Sequence, residues 1–485
     1  MSPSHHILLI RAGYAQRKKI DHPLHHPPPL PLKYAQALLE QNSHFKTRIV
    51  DGLIEPMPDQ AVLAMIEQWP VHTVCVEIAS PSSEKGLTLC KSIREKHADI
   101  FIVAVGSDVS ERHLFYANTT GLFDVILKGE FELELSRLMA RVQERGKADV
   151  IPLYGISALN QEGCLVPDPG ALPILEWTRR DLKKYPYRYP LRLPKKIRPG
   201  YVASSRGCRH GCSFCSPSVR KSYGKKLRMR PAGHILQEIE NLQRLGVNII
   251  VFEDDDFTGD PEHVRSLCAE IRRKKLNIHW TCHARIDEVT AELLRDMKEA
   301  GCVLILFGVE SGSAKIIRLL HKSSRERDWN SLARETFRQA RAIGIATCAL
   351  FMVGNPQETR ADVDESIKLA FELQPDFIKV HNFTLYPGSQ DYKRYGAIPD
   401  LSAAPHHYLR PLVNVSRLTD QELKILQKEF YRSFFFRPGY LWPHIKNYSL
   451  FYLFNWTWSF RMISELLCFL LSRGRQGAGG VPSTT

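Results

Sequence analysis

The chain of 485 residues lacks the marks of a secreted or membrane-spanning protein. Its N-terminus has neither a basic head nor an apolar run long enough for a secretory signal. Its eleven cysteines are an odd number and most stand singly in apolar segments, which argues against a disulfide framework and predicts a reducing compartment. The segment 448–471 approaches the length of a membrane span, but Arg461 and Glu465 make it a poor candidate. We therefore expect a cytoplasmic protein.

Acidic residues are almost absent from one part of the chain. Between Arg179 and Arg230 there are seventeen lysines and arginines and a single acid, Asp181, whereas the net charge of the whole chain is +14. A block of like charge is often a solvated or disordered face. This block surrounds a loop with three cysteines, so we expect it to attract anions to that loop. The candidates are an acidic electron donor such as a flavodoxin or ferredoxin, an anionic substrate, or nucleic acid.

Length and composition predict a globular protein of two or three domains. The chain is 44% hydrophobic and 24% charged, which is ordinary for a soluble protein that buries a core.

Three cysteines follow a short apolar run: Cys208, Cys212 and Cys215, at Cys-x-x-x-Cys-x-x-Cys spacing. Three thiolates on one tight loop can hold three irons of a 4Fe–4S cube and leave the fourth iron open to a ligand. Phe214, just before the last cysteine, is placed to cover such a ligand. Two other interpretations remain: a zinc site with His210 as fourth ligand, or unrelated buried thiols.

Residues 1–145 are predicted to be a Rossmann-like domain, because short apolar runs alternate with segments of helical periodicity. Ligands of such parallel sheets bind beyond the carboxyl ends of the strands. The proline-rich segment 22–31 is expected to be an irregular loop that closes over a ligand. The predicted strands are Ile7–Ile10, Arg48–Val50, Val71–Ile78, Ile100–Val105 and Asp124–Leu127, with helices around 32–42, 59–68, 84–97, 111–118 and 131–144.

Residues 146–200 are predicted to be a basic linker, in which prolines forbid a long helix. Six βα units follow in 201–395 and predict an open, partial TIM-type barrel with its active site at the carboxyl ends of the strands. Those strands are Tyr201–Ser205, Val247–Phe252, Ile278–Cys282, Val303–Phe307, Ala346–Val353 and Phe377–Phe383.

The C-terminal part is predicted to be a helical, aromatic-rich region over 396–473 and a disordered tail over 474–485. Residues 419–433 have the pattern of an amphipathic helix. The aromatic stretch 448–471 suits either a helix packed on the barrel or peripheral contact with a membrane.

Two groups of polar residues end predicted barrel strands. Glu253-Asp254-Asp255-Asp256 places four acids after an apolar run, and buried carboxylates need an ammonium group, hydroxyls or a cation. The alternative is a solvated acidic turn. Glu310 and Ser311 end another strand, where they can accept hydrogen bonds from a diol.

Together and in this order, the cysteine loop and the strand-end motifs resemble the radical S-adenosylmethionine enzymes. The resemblance is most specific over 201–395 and implies a 4Fe–4S cluster on the three cysteines, whose open iron chelates S-adenosylmethionine. It implies that Asp254 or Asp255 contacts the methionine amino group. It also implies that Glu310, with Ser311 beside it, binds the ribose hydroxyls, and that Arg285 of the Trp280–Arg285 motif lies near the cofactor or substrate.

The first domain is similar to the cobalamin-binding domain that precedes the radical core in one large class of that family. Its ending, Asp124-Val-Ile-Leu-Lys-Gly-Glu-Phe-Glu, looks like that class's domain exit. The chain departs from the pattern in two ways: it has no Asp-x-His-x-x-Gly, and Gly106-Ser107-Asp108 stands where Gly-Gly is frequent. The alternative is a Rossmann-like domain that has lost its ligand.

The resemblance implies that one electron cleaves S-adenosylmethionine to methionine and a 5′-deoxyadenosyl radical, which abstracts a hydrogen atom from the substrate. We expect a cobalamin-dependent C-methyltransferase that acts on an unactivated carbon of a small metabolite, lipid or tetrapyrrole. The alternatives are oxidative cyclisation or ring rearrangement, tRNA or protein methylthiolation, and a non-enzymatic zinc protein. Methylthiolation is disfavoured because the N-terminal region has only Cys75 and Cys90, and nucleic acid is not the expected partner.

Overall fold

The computed structural model describes residues 4–13, 25–55, 57–119, 121–154, 165–193, 196–215, 224–323, 328–396 and 413–454. Within these ranges, two parallel sheets are the main architectural units, and a short antiparallel ladder accompanies the second. The predicted tail 474–485 and most of 448–471 lie outside the described residues.

The first sheet has the strand order β2-β1-β3-β4-β5, and each neighbouring pair is parallel. Its central strands are buried on both faces, which is why they read as nearly continuous apolar runs. The strands are β1 His5–Arg11, β2 Phe45–Asp51, β3 Thr73–Glu77, β4 Phe101–Val105 and β5 Val125–Ile126. The helices are α1 Leu30–Leu39, α2 Asp59–Gln68, α3 Ser83–Lys96, α4 Ser107–Glu111, α5 His113–Ala117, α6 Glu132–Arg145 and α7 Lys147–Tyr154. The prediction of a Rossmann-like domain is confirmed.

The helix predicted at 111–118 is instead two short helices, α4 and α5. They are separated at Arg112, whose φ of −108° and ψ of 31° leave the helical region. The Arg112 guanidinium donates to the buried carboxylate of Asp108, which also accepts from Ser80 and Tyr116. These bonds fix the position of Arg112, at which the predicted continuous helix is interrupted.

The second sheet has the order β13-β12-β11-β10-β9-β6 and is parallel throughout, which confirms the predicted partial barrel. Its strands are β6 Pro199–Val202, β9 Ile249–Phe252, β10 His279–Ala284, β11 Cys302–Glu310, β12 Ala346–Val353 and β13 Phe377–Asn382. The antiparallel ladder pairs β7 Ser205–Arg206 with β8 Arg228–Met229 and joins the two ends of the cysteine-containing segment.

Several helices of the barrel have amphipathic sequences and begin at polar residues that cap them. Asp260 caps α10 and Thr290 caps α11, each accepting a backbone N–H of the first turn. The helices are α9 Ala232–Arg244, α10 Pro261–Arg273, α11 Ala291–Glu299, α12 Ala314–Leu319, α13 Trp329–Ile343, α14 Arg360–Leu373 and α15 Gln390–Tyr395.

The described part of the segment predicted as a linker packs into the barrel core. It contains one short helix, α8 Arg179–Lys183, and ten residues of the largest hydrophobic cluster. Tyr187 and Tyr189 are among them, and Tyr187 also forms an isolated backbone bridge with His25 of the N-terminal domain. The residues are Val166, Leu172, Leu175, Trp177, Leu182, Tyr185, Tyr187, Tyr189, Leu191 and Leu193.

Two C-terminal helices, α16 Asp420–Phe435 and α17 Pro438–Phe454, pack on the barrel. The Tyr431 hydroxyl accepts the N–H of Val380, and Gln427 donates to the carbonyl of Val380, so α16 satisfies backbone groups on the free edge of β13. α17 contains Pro443, which the sequence pattern did not place inside a helix. None of the described helices is long and apolar enough to cross a membrane.

Candidate active site

The carboxyl ends of the strands of both sheets border one cavity of about 420 Å³. The first domain contributes the ends of β1 and β3 and the proline-rich segment Pro27–Pro31. The barrel contributes residues that follow β6 and β9. The lining residues are Arg11, Ala12, Pro27, Pro28, Pro29, Leu30, Pro31, Tyr34, Leu53, Glu77, Ala79, Ser82, Ser107, Ala203, Ser205, Arg206, Glu253 and Asp255. This is the edge at which parallel sheets bind ligands.

The three predicted cysteines lie on the loop that follows β7, and all three are half-buried free thiols. Burial raises the pKa of Cys208 to about 12, with a contribution from the Asp256 carboxylate, and burial also raises the pKa of Cys215. Cys212 accepts a hydrogen bond from Nη1 of Arg285 at 3.4 Å. A cation beside the loop suits sulfurs that become anionic when they bind iron.

The arrangement of the three sulfurs fits an iron–sulfur cube better than a single zinc ion. Sulfurs that share one tetrahedral zinc at about 2.3 Å lie roughly 3.8 Å apart. Among the described residues, the one group of three ligand atoms that lie within 4.8 Å of one another is His210, Asp256 and Glu288, so the three cysteines are more widely spaced. His210 itself bonds to Glu288 at 2.5 Å and does not complete a cysteine site.

His210, Asp256 and Glu288 form a network behind Cys208. Asp256 Oδ2 lies 3.6 Å from the Cys208 sulfur and 3.5 Å from Nε2 of His210. Glu288 accepts from His210 and from Thr258. Burial and the neighbouring Glu288 carboxylate raise the pKa of Asp256, while hydrogen bonds from His210 and Asp256 hold the pKa of Glu288 low. Of the two carboxyl groups, Asp256 is therefore the one that holds a proton more readily. The network also anchors the first half of the cysteine loop.

Asp254, one of the two predicted contacts of the methionine amino group, is engaged with the chain itself. Its carboxylate accepts from the backbone N–H and hydroxyl of Ser204 and from the hydroxyl of Ser205 at 2.5–3.2 Å. Burial nevertheless raises its pKa to about 6. Asp254 thus holds the start of the cysteine loop against the end of β9.

Asp255, the other predicted contact, lines the cavity. Although its side chain is exposed at the cavity, the surrounding protein desolvates the carboxyl group and raises its pKa to about 7, and the charge of Asp254 adds to the shift. Its side chain has no hydrogen-bond or ion-pair partner among the described residues. Of the two predicted contacts, Asp255 is therefore the one whose carboxylate borders the cavity.

Glu310, the predicted ribose contact, ends β11 with a φ of +70°, a left-handed conformation that is unusual for a side-chain-bearing residue. Its carboxylate pairs with Nζ of Lys322 at 2.9 Å, and both side chains are buried. The Lys322 ammonium also lies 5.9 Å from the ring centre of Phe214. Glu310, Lys322 and Phe214 are thus neighbours beside the cysteine loop.

Ser311 follows Glu310 in the turn after β11, whereas Arg285 contacts the cysteine loop. The buried Ser311 hydroxyl is shared with Ser366 and accepts the N–H of Ser313, so it shapes the turn after β11. Arg285 donates to Asp287 and to the carbonyl of Lys322 as well as to Cys212. Arg285 therefore contacts a predicted iron ligand directly.

Three arginines of the basic block form buried ion pairs, and two of these pairs join the two domains. Arg206 donates to Glu132 at 2.6 Å, and Arg228 donates to Glu130 at 2.5 Å. Arg230 pairs with Glu238 at 2.8 Å inside the barrel. These three charges are therefore not free to attract anions. Three further cations of the block are exposed: Arg209, which also pairs with Glu288 at 3.2 Å, Lys225 and Lys226.

The proline-rich segment of the first domain reaches the mouth of the barrel. His25 Nε2 bonds to Glu253 at 2.7 Å, and its ring stacks on Tyr201 of β6. Residues 22–24 of this segment lie outside the described residues. The described part therefore covers the cavity as well as lining it.

Sequence patterns did not point to Lys322 or Glu288 as site residues. Lys322 follows α12 in a loop without periodicity, and only the fold brings it to Glu310. Glu288 follows β10 and its importance depends on a bond to His210, far away in sequence. Asp256 alone carried a signal, because it ends the run of four acids.

Comparison with known proteins places this site in a wider group. Residues 202–370 match the sequence profile of the Radical SAM superfamily. The chain is 24% identical over 428 residues to an uncharacterized methyltransferase of Pyrococcus horikoshii, covering 85% of this chain and 89% of that protein. It is 23% identical over 433 residues to the anaerobic magnesium-protoporphyrin IX monomethyl ester cyclase of Rubrivivax gelatinosus, covering 87% and 76%.

Among solved structures, the chain resembles the radical S-adenosylmethionine methyltransferase TsrM from Kitasatospora setae. The TM-score is 0.60 at 18% identity, over 93% of this chain and 89% of that chain. TsrM has been solved with tryptophan substrate and an S-adenosylmethionine analogue, and with cobalamin and a [4Fe-4S] cluster. At this identity the likeness establishes a shared fold.

Proposed function

Because the chain belongs to the radical SAM superfamily through residues 202–370, we propose that it is a cobalamin-dependent methyltransferase of an unactivated carbon. The substrate would be a small metabolite, a lipid or a tetrapyrrole. The observation that carries the proposal is the placement of three free thiols at the mouth of a partial barrel, beside a cavity shared with a Rossmann-like sheet.

The residues present fit both groups. Cys208, Cys212 and Cys215 would hold the cluster, and Asp255 and Glu310 would bind the amino group and ribose of S-adenosylmethionine. Cobalamin would lie against the carboxyl ends of β1, β3 and β4. The described lining of the cavity contains no histidine.

When bound, the cluster would supply the electron that splits S-adenosylmethionine, and cobalamin would carry the methyl group. The chain itself binds, orients and shields. The ion pair with Lys322 holds the Glu310 side chain in place, so binding of a ribose would not require that side chain to be ordered first. Pro27–Pro31 border the cavity from the first domain, and His25 bonds to Glu253 beside it, so this segment would help to exclude water once ligands are bound.

The test is anaerobic reconstitution of the full chain with iron, sulfide and cobalamin. Incubation with reductant and S-adenosylmethionine should yield 5′-deoxyadenosine, and the Cys208→Ala, Cys212→Ala and Cys215→Ala variants should yield none. Cys90→Ala, which removes a buried thiol from α3 of the first domain, is the matched control. Deoxyadenosine formation by the loop variants, or stoichiometric zinc without iron in the wild type, would end the proposal.

Oxidative ring closure is a second candidate, because the Rubrivivax relative bears the name of a cyclase. Labelled methyl donor with candidate extracts distinguishes the two. A methyltransferase incorporates label and adds the mass of a CH2 group to the product, whereas a cyclase incorporates none and its product loses hydrogen. Methylthiolation has little support, because Cys75 and Cys90 are buried on opposite faces of the first sheet.

The exposed cations near the loop suggest the electron donor. Lys225 and Lys226 are exposed, and so is Arg209 although it also pairs with Glu288, so an acidic flavodoxin or ferredoxin would be attracted to this surface. Removing these charges should slow reduction by the donor, with a steeper effect at low salt. Reduction by dithionite should be insensitive to the same changes.

We further propose peripheral contact with a membrane through α17. Leu441, Trp442, Ile445, Leu450 and Leu453 are exposed on that helix, with Trp442 73% exposed. Large exposed apolar side chains of this kind suit the interface between water and lipid. Such contact would bring a lipid-like substrate to the enzyme.

A further inference from the structure

The inner face of the barrel sheet carries a group of basic side chains that the proposed function does not use. They are His283 on β10 and Lys379 and His381 on β13. Each is partly exposed, although its neighbours along the strand are buried. This pattern is the alternation of a strand whose other face packs on helices.

Strand register places the three side chains on the same face. Cys282, next to His283, packs in the core with Cys268 of α10, so His283 points to the opposite, inner side. Across the sheet Leu350 is in register with Lys379, and Met352 with His381. Residues in register on parallel strands share a face, so the two β13 side chains lie beside these apolar ones.

The three groups are also close enough to influence one another's ionisation. Burial is the main cause that lowers the pKa of His283 to about 4 and that of His381 to about 3, and the charge of Lys379 contributes to both shifts. Both imidazoles are therefore neutral at pH 7 and can donate hydrogen bonds. Glu253 acts on His283 in the opposite sense, but its carboxylate is already bonded to His25.

Lys379 has no partner of opposite charge in the part of the chain that the structure describes. No carboxylate or hydrogen-bond acceptor among the described residues lies within bonding distance of its Nζ, and burial lowers its pKa. A partly exposed ammonium that is largely surrounded by protein and has no acceptor is poorly hydrated, which is costly unless a ligand completes it. The buried cations around the site, Arg206, Arg228 and Lys322, each have a carboxylate.

We propose that Lys379, with His283 and His381, binds an anionic group of the substrate, a carboxylate or a phosphate, inside the barrel. Leu350 and Met352 provide an apolar wall next to that group. The substrate is therefore an amphipathic acid, with its charged end toward β13 and its apolar body toward the cavity. This inference rests on the proposed function, because it assumes that the barrel encloses the substrate.

The test uses three probes with the same tail and different heads: hexanoate, hexyl phosphate and uncharged hexanamide. Their binding to the anaerobically reconstituted full-chain enzyme, loaded with S-adenosylmethionine, is measured by calorimetry. At least one charged probe should bind about tenfold more tightly than hexanamide. Comparison of hexanoate with hexyl phosphate separates a carboxylate from a phosphate site.

Lys379→Met should weaken the charged probe about tenfold, and Lys379→Arg should retain most of its affinity. His283→Leu is a second variant that removes a donor without touching the lysine. Lys368→Met removes an exposed lysine of α14 and should change nothing. Equal binding of charged and uncharged probes, or undiminished binding by both Lys379→Met and His283→Leu, would overturn the inference.

Deoxyadenosine formation by the same wild-type preparation is recorded in parallel. Its absence would contradict the proposed function. Loss of the preference for a charged probe would contradict only the anion site.

Discussion

Arg285 and Cys212 are joined by a hydrogen bond, with Nη1 of the arginine 3.4 Å from the sulfur. The same guanidinium is held by Asp287 and by the carbonyl of Lys322, so its position is fixed from two sides. Asp256 approaches Cys208 in the same loop. One predicted iron ligand therefore faces a cation and another faces a carboxyl group, and the loop is electrostatically asymmetric.

The arginine should raise the reduction potential of a cluster bound on this loop. A hydrogen bond from a cation stabilises the more negative, reduced state, and its loss costs about 1.5 kcal/mol, or roughly 60 mV for one electron. Arg285→Met should therefore make the potential more negative by that amount in a redox titration followed by electron paramagnetic resonance. Arg295→Met removes an exposed arginine and serves as control. An unchanged potential in Arg285→Met would mean that the bond has no electronic effect.

Glu310→Gln should weaken binding of S-adenosylmethionine while sparing the cluster. A carboxylate that accepts two ribose hydroxyls contributes about 1.5 kcal/mol more than an amide, which is roughly a tenfold change in Kd. Equilibrium dialysis of the reconstituted enzyme measures the affinity, and iron content measures the cluster. Glu335→Gln alters an exposed glutamate and should leave both unchanged. Unaltered affinity in Glu310→Gln would remove the ribose role.

Arg206→Met should destabilise the contact between the two domains. Both Arg206 and Glu132 are buried, and a buried carboxylate without its partner costs about 3–5 kcal/mol. The free energy of unfolding in urea should fall by that amount, and the double variant Arg206→Met with Glu132→Met should recover much of it. Arg338→Met breaks an exposed pair with Glu335, which water screens, and should leave the free energy of unfolding nearly unchanged. Equal losses of unfolding free energy in Arg206→Met and Arg338→Met would show that the buried pair stabilises the protein no more than the exposed pair does.

Acid should loosen α17 from the barrel through His444. Its ring stacks on Tyr440 and bonds to the Tyr452 hydroxyl, and burial lowers its pKa from 6.5 to about 4, with Arg192 lowering and Asp376 raising it. The unfolded state then binds the proton more readily. Stability is therefore complete above pH 6.5 and falls as pH drops toward 4, by up to roughly 1.4 kcal/mol per unit.

Hydrogen exchange of residues 438–454 at pH 7.5 and 5 measures this loosening, after correction for the intrinsic exchange rate. Protection should fall at pH 5 in the wild type and fall less in His444→Phe, which keeps the aromatic packing. The helix α13, which contains no histidine, provides the internal control. An identical loss in His444→Phe would assign the pH effect to other groups.

Both sheets were predictable because buried parallel strands are short apolar runs, and the lengths between them fit single helices. The cysteine loop was predictable because its ligands are neighbours in sequence. The segment 165–193 was not recognised as part of the core, since its buried tyrosines alternate with lysines and arginines that read as a solvated stretch. Its aromatic rings reach the barrel only through the fold.

Contacts between distant parts of the chain account for the rest of the site. Nothing in the local pattern joins Arg206 to Glu132 or Lys322 to Glu310. Asp254 and Asp255 are adjacent and chemically identical, yet one binds backbone groups and the other borders the cavity. Successive side chains after β9 point in different directions in the folded chain, and this alone gives the two aspartates different surroundings.

Trp442→Ser should weaken association with lipid vesicles if α17 contacts a membrane. The side chain is 73% exposed, so the change removes apolar surface from the interface without opening the core. Transfer of a tryptophan-sized apolar surface contributes about 2 kcal/mol, so vesicle binding in a flotation assay should fall at least tenfold. Leu114→Ser removes a 67% exposed apolar side chain from the first domain and is the matched control. Flotation that is equal for both variants and the wild type would assign the exposed face of α17 to another contact.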